Sequence, residues 1–194
     1  MKKLRWLIPC VLALASWGAT ASAGGQPPDP QTLIAAQKTG MLKTAMLDGQ
    51  WRGSASMTMP DGTVHDFTQT ERIGPMLDGS VRVIEGRSYD AQGHTVFNAF
   101  AVISYDPASH AYTMHSYAQG RAGDFKFVPT VDGYRWEIPA GQATMRYTAV
   151  IKNGQFNETG ERVVPGQAPV KFFNMELTRL GDSSWPAANP VSPK

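Results

Sequence analysis

From Gln50 to Leu180 the apolar residues recur with a period of two, and the breaks in that pattern are short and turn-like. Asp61-Gly62, Asp78-Gly79, Gln92-Gly93, Asp106-Pro107, Asp132-Gly133 and Asn153-Gly154 mark these breaks. Alternation of this kind belongs to strands with one buried face, and links this tight join strands antiparallel. The spacing predicts ten strands, at about 50–59, 63–73, 80–89, 95–105, 111–118, 124–128, 133–138, 143–151, 155–163 and 170–179. A meander of that many strands either splits into two packed sheets or closes on itself, and closure removes the exposed edges. The expected fold is all-β, an antiparallel meander closed into a barrel of eight to ten strands.

Ahead of the strands, Asp29 is placed to cap a helix that Pro30 opens at its first position. Leu33, Ile34, Met41, Leu42 and Met46 give that segment an apolar stripe, Gly40 weakens its middle and Asp48-Gly49 stops it. The sequence therefore predicts a helix over 30–47, lying against one end of the sheet.

Two hairpins can be set in register from their turns. With Asn153-Gly154 as a two-residue turn, Ile151 lies opposite Phe156 and Ala149 opposite Glu158. Tyr147, Glu158 and Arg162 then share the inward face, and Arg146 meets Glu161 outside. With Asp61-Gly62 treated the same way, Trp51 shares a face with Arg72, whereas Arg52 meets Glu71 on the opposite side. On the strand at 80–89, Val81 and Val83 pointing inward would bring Glu85, Arg87 and Tyr89 with them.

The N-terminus predicts a leader. Lys2, Lys3 and Arg5 precede an apolar run from Leu7 to Trp17, and Ala21-Ser22-Ala23 is a small-x-small cleavage pattern. A membrane-spanning helix needs roughly 20 apolar residues, more than this run supplies. Residues 1–23 are thus expected to be a cleaved signal peptide, residues 24–180 one domain that includes the helix, and residues 181–194 a flexible tail. Loss of Lys2, Lys3 and Arg5 leaves 15 Lys and Arg against 16 Asp and Glu, so the net charge changes from +2 to −1. No basic patch survives to suggest nucleic acid or an anionic membrane. Cys10, the one cysteine, leaves with the leader, so a periplasmic or secreted protein would be held without disulfides.

The segment Gly49-Gln50-Trp51-Arg52-Gly53 resembles the start of a calycin, the superfamily of lipocalins and fatty-acid-binding proteins. There a Gly-x-Trp on the first strand packs at the closed end of a barrel and an arginine near the end of the last strand lies across the indole. Met175-Glu176-Leu177-Thr178-Arg179 supplies that arginine, making Trp51 and Arg179 fold markers. The wider pattern Thr70-Glu71-Arg72-Ile73-Gly74-Pro75-Met76-Leu77-Asp78-Gly79, with Met114-His115-Ser116-Tyr117-Ala118-Gln119-Gly120, is similar to a family of bacterial secreted calycin-like proteins that carries no established activity. Ten strands exceed the eight of lipocalins, and no cysteine pair ties strand to tail. The resemblance implies binding of a small, partly apolar molecule inside the barrel. Some calycin-like barrels bind haem, for which His115 is the alternative axial ligand.

The residues expected to meet a ligand are Glu85, Arg87, His115, Tyr117, Arg121, Tyr147, Glu158 and Arg162, polar groups among aromatic and aliphatic neighbours as small-molecule sites have them. Arg121 sits in Gly120-Arg121-Ala122-Gly123-Asp124, which lacks the lysine and following helix of a phosphate loop. Ser116 lies in no Gly-x-Ser-x-Gly elbow. His65, His94, His110 and His115 show no metal-ligand spacing. Two alternatives stand beside the carrier reading: an enzyme using cavity carboxylates with His115, and a structural or protein-binding barrel without ligand.

Overall fold

A computed structural model describes residues 29–186. The predicted signal peptide and residues 187–194 lie outside the described residues.

Asp29 accepts a hydrogen bond from the Thr32 amide at 3.1 Å, and Pro30 opens α1, Pro30–Met41. The helix then tightens into a 3₁₀ segment, Leu42–Leu47, so the predicted continuous helix over 30–47 has two parts. The tighter turn carries Thr44 and Leu47 into the protein, where both are buried. The Tyr105 ring occupies the place a side chain at Gly40 would need, and the Tyr112 hydroxyl donates to the Gly40 carbonyl at 2.6 Å. Gly40 thus lets the helix sit directly on two tyrosines.

Ten strands follow: β1 Gly49–Thr58, β2 Val64–Met76, β3 Val81–Tyr89, β4 Thr95–Asp106, β5 Ala111–Ala118, β6 Arg121–Pro129, β7 Gly133–Ala140, β8 Ala143–Lys152, β9 Gln155–Val163 and β10 Val170–Gly181. Each pairs antiparallel with its sequence neighbour, and β1 pairs with β10 to close the barrel. The two-sheet alternative is thereby excluded. The floor is packed by Leu47, Trp51, Ile73, Ile103, Phe127, Tyr134, Ile151 and Phe156, all buried in one cluster with Met41. Arg82 is buried there too, and its guanidinium holds Asp48 through Nε at 2.6 Å and Nη2 at 2.8 Å. It also donates to the Met41 carbonyl at 3.0 Å and to Thr44. One side chain of β3 therefore fastens the helical segment across the barrel's lower end.

The Asn153-Gly154 hairpin has the expected register: Ile151 faces Phe156, Ala149 faces Glu158, and Arg146 faces Glu161. Arg146 nevertheless makes its ion pair with Glu137 of β7, Nε to Oε1 2.8 Å. The first hairpin differs from expectation. Met59 and Thr63 close a loop of three residues, Pro60, Asp61 and Gly62, with Met59 N donating to Thr63 O at 2.8 Å. Gly62 takes φ +86°, the left-handed position that such a loop requires before the second strand resumes. The extra residue moves β2 by one and turns every side chain on it over. Trp51 lies opposite Glu71, and Arg52 opposite Thr70. Glu71 therefore points into the barrel, and Arg72 points out.

Candidate functional site

Residues directly opposite one another on paired strands share a face. From buried Trp51 the inward face passes through Glu71 to Gly86. Hence Ile84, Gly86 and Ser88 face inward, while Val81, Val83, Glu85, Arg87 and Tyr89 face outward, which corrects the inward placement expected for Glu85 and Arg87. Val83 is buried all the same. The Trp185 carbonyl and Pro186 lie over Gly74, the residue directly opposite Val83, so the chain's own C-terminal segment crosses this stretch of the outer wall.

The eight expected site residues fall into two groups. Glu85, Arg87, His115 and Tyr117 are on the outer wall. Glu85 is clamped between Arg72 Nε at 2.5 Å and Arg87 Nη2 at 2.6 Å. Partial burial pushes its carboxyl up, but the two guanidiniums outweigh this and hold it below the ordinary value. Arg72 is in turn stacked over Trp185, 4.4 Å from the ring centroid. Tyr117 and Phe100 stand side by side with centroids 6.3 Å apart, and both line a shallow groove with Glu85, Arg87 and Arg121. His115 pairs through Nδ1 with Asp124 Oδ1 at 2.6 Å and keeps 40% of its side chain exposed. An exposed imidazole bonded to a carboxylate on the outer wall does not fit the apolar pocket that a haem would need around it. Nor does His115 share a site with the interior carboxyls, since the wall lies between them.

Tyr147, Glu158, Arg121 and Arg162 belong to the inward face. Arg121 and Arg162 stand exposed at its rim, opposite Ala118 and Met145. Glu158 is buried below them, with the Trp136 indole N–H donating to Oε1 at 3.2 Å and the Tyr134 hydroxyl as its second donor. Burial pushes its carboxyl up to about 7, against the lowering effect of those donors. Among the described residues no arginine meets it; Arg87 is on the outer wall and Arg162 at the rim.

Glu71 is the residue that sequence reasoning placed on the wrong face. Its side chain lies over Gly86, where an added Cβ would come within 2.7 Å of Oε1. Gln69 donates to Oε1 at 2.7 Å, and Ser88 donates to Gln69 in turn at 2.5 Å, a chain running up the inner wall. Burial pushes Glu71 up to about 8; the Gln69 bond opposes this, and repulsion from the Glu158 and Glu85 carboxyls adds to it. Protein surrounds this carboxyl, and the residue as a whole is only partly exposed. Among the described residues no donor reaches Oε2, and no fully buried side-chain polar atom lacks a partner, so Oε2 keeps some accessible surface.

Above the floor the inward wall is aromatic and only half-buried. Trp136 and Tyr147 are stacked face to face at 4.5 Å, with Phe125 on the far edge of Trp136 and Phe173 6.0 Å from Tyr147. Met57, Ala99, Ser116, Gly123 and Met145, on the same inward face, also remain partly accessible. Together they form the upper part of the inward wall, on the same face as Glu71 and Glu158. Between the closed end, where Arg82 is held by Asp48 and Arg179 by Asp182, and the rim arginines, no inward-facing lysine or arginine occurs among the described residues.

No protein-family model matches the sequence, and neither does any curated protein. Among solved structures, the chain is similar to the crystal structure of Rv2717c from M. tuberculosis, with a TM-score of 0.54 and 10% identity over 72% of this chain and 96% of that one. The likeness is one of fold. A closed ten-strand antiparallel barrel with an N-terminal helix is consistent with barrels of the calycin type. No helix among the described residues is long and apolar enough to cross a membrane.

Proposed function

We propose that this protein is a small-molecule binding or carrier protein of the cell envelope, holding a partly apolar ligand in the barrel vestibule. The observation that carries this reading is the combination of a buried apolar cluster at one end with a partly exposed inward wall in which two carboxyls stand among aromatic rings. A wall mainly apolar with a few converging polar groups is the usual form of a small-molecule site. Tyr147 and Glu158 are its assigned contacts from the sequence, Glu71 and Trp136 its additions, and Arg121 and Arg162 its rim. The envelope location rests on the leader at residues 1–23, with a mature chain beginning near Gly24, and on the resemblance to secreted calycin-like proteins.

The test is native mass spectrometry of the protein purified from its own envelope. A co-purifying small molecule lost on mutation of the vestibule wall is the expected result. Retention of Met1 to Ala23 in exported protein contradicts the envelope part, and a molecule that stays bound when Trp136 and Tyr147 are replaced contradicts the vestibule part.

A further inference from the structure

The vestibule's charge is one-sided. Two carboxyls are on its inward wall, and among the described residues no cation pairs with either; Arg82 is committed to Asp48, Met41 and Thr44, and Arg179 to Asp182. A ligand with a carboxylate or phosphate end would find no guanidinium below the rim to receive it, and its charge would hold Glu71 and Glu158 in their protonated form. Ionising either carboxyl without a partner in such surroundings is costly. Glu71 Oε2, not fully buried and without a donor, is an acceptor left for something that enters from the rim.

We propose that the vestibule binds a small organic cation, an amine or quaternary ammonium whose positive end meets Glu71 and Glu158 and whose apolar part lies against Trp136 and Tyr147. This rests on the carrier reading and names its ligand class. The ring faces add to the selection: a cation over Trp or Tyr is attracted by the π system, more strongly when water is excluded. Trp136 also donates its N–H to Glu158, so the ring that contacts the ligand fixes the carboxyl that neutralises it.

Three chain-matched probes separate the possibilities by calorimetric titration of the mature protein: decyltrimethylammonium, decan-1-ol and decanoate. The cation is expected to bind at least tenfold tighter than the alcohol, and the alcohol tighter than decanoate. Glu71→Gln and Glu158→Gln are each expected to weaken the cation about tenfold while leaving the alcohol within threefold. Glu161→Gln, on the outer face of the same strand as Glu158, is expected to change none of them. Alcohol and cation binding alike, or decanoate binding best, overturns the cation assignment and leaves the carrier reading standing. Failure of all three probes overturns both. An unfolded glutamine variant is recognised by its lost alcohol binding, and the wild-type ranking of the three probes still decides the matter.

Discussion

Trp51 on the first strand lies directly opposite Arg179 on the last, with the guanidinium carbon 6.0 Å from the indole centroid. The indole N–H donates to the Leu47 carbonyl at 2.9 Å, and Arg179 Nη2 donates to the Asp48 carbonyl at 3.3 Å. The pair thus ties three things together: the end of the helical segment, the start of β1 and the end of β10. Trp51 is buried against Phe156, edge to face at 5.6 Å, whereas Arg179 keeps a third of its side chain in solvent. Trp51→Ala is therefore expected to cost about 3–5 kcal/mol, and Arg179→Ala about 1 kcal/mol. Urea unfolding of both variants checks the order, and equal losses would contradict it.

Arg82 is the second fastening of the same end. Its removal abandons Asp48 and leaves the Met41 carbonyl with the Thr44 hydroxyl as its remaining side-chain donor. Arg82→Ala is expected to lose about 3–5 kcal/mol, as breaking a buried pair on one side does. Arg82→Lys is expected to recover little, because a single ammonium cannot reproduce the two-toothed contact with Asp48. Limited proteolysis checks the structural consequence: cleavage within 30–47 is expected to accelerate in both variants before the barrel itself is cut.

The interior carboxyls make stability depend on pH in a definite direction. Their folded values, about 8 for Glu71 and about 7 for Glu158, are raised above the ordinary 4.5 by burial. Below pH 4.5 the folded and unfolded chains both hold these protons, and the contribution to stability is fully present. As pH rises, the unfolded chain ionises first, so stability falls and continues to fall until the folded carboxyls have titrated near pH 7 to 8. Each carboxyl accounts for a loss on the order of 3–5 kcal/mol over that range. Chemical unfolding at pH 5 and pH 8.5 is expected to show the decline in the wild type, and Glu71→Gln and Glu158→Gln are expected to flatten it. A stability curve rising with pH through this window would contradict the account.

Glu158→Gln, in particular, is expected to leave stability at pH 8 unchanged or higher. Trp136 and Tyr134 donate to either side chain, and no cation loses its partner when the charge is removed. Thermal unfolding at pH 8 checks this; a loss of several kcal/mol would reveal an ion pair that the structure does not contain.

The sequence located the ten strands because period-two alternation and short turns are local signals, whereas the meeting of Trp51 with Arg179 was expected from the resemblance to calycins alone. It also put Glu158 inside, because Asn153-Gly154 admits only a tight turn and so fixes the register of β8 on β9. The other hairpin misled by a single residue. Pro60 before Asp61-Gly62 is itself the signal of a longer loop, with proline starting the turn and glycine in the left-handed position after it. Reading Pro60 that way places Glu71 inside. The error at Glu85 and Arg87 has a different origin. Val81 and Val83 look like core residues, but burial of Val83 on the outer wall accompanies the passage of Trp185 over Gly74, a contact between residues more than a hundred positions apart that no local pattern announces. The tyrosine and indole that serve Glu158 come from β7, two strands away across β8, and were equally invisible from the sequence of β9 alone.

The central claim is that Glu71 and Glu158 face a shared interior space instead of solvent, and side-chain carboxyl carbon NMR measures it most directly. With glutamate carboxyls labelled and assigned through Glu71→Gln and Glu158→Gln, the account predicts two resonances that titrate near pH 8 and pH 7, well separated from the remaining glutamates. Removing either carboxyl is predicted to lower the midpoint of the other, as the loss of a repelling neighbour does. If both residues titrate near the ordinary 4.5 and neither responds to the other's replacement, the carboxyls are solvated and separate, and the interior site does not exist.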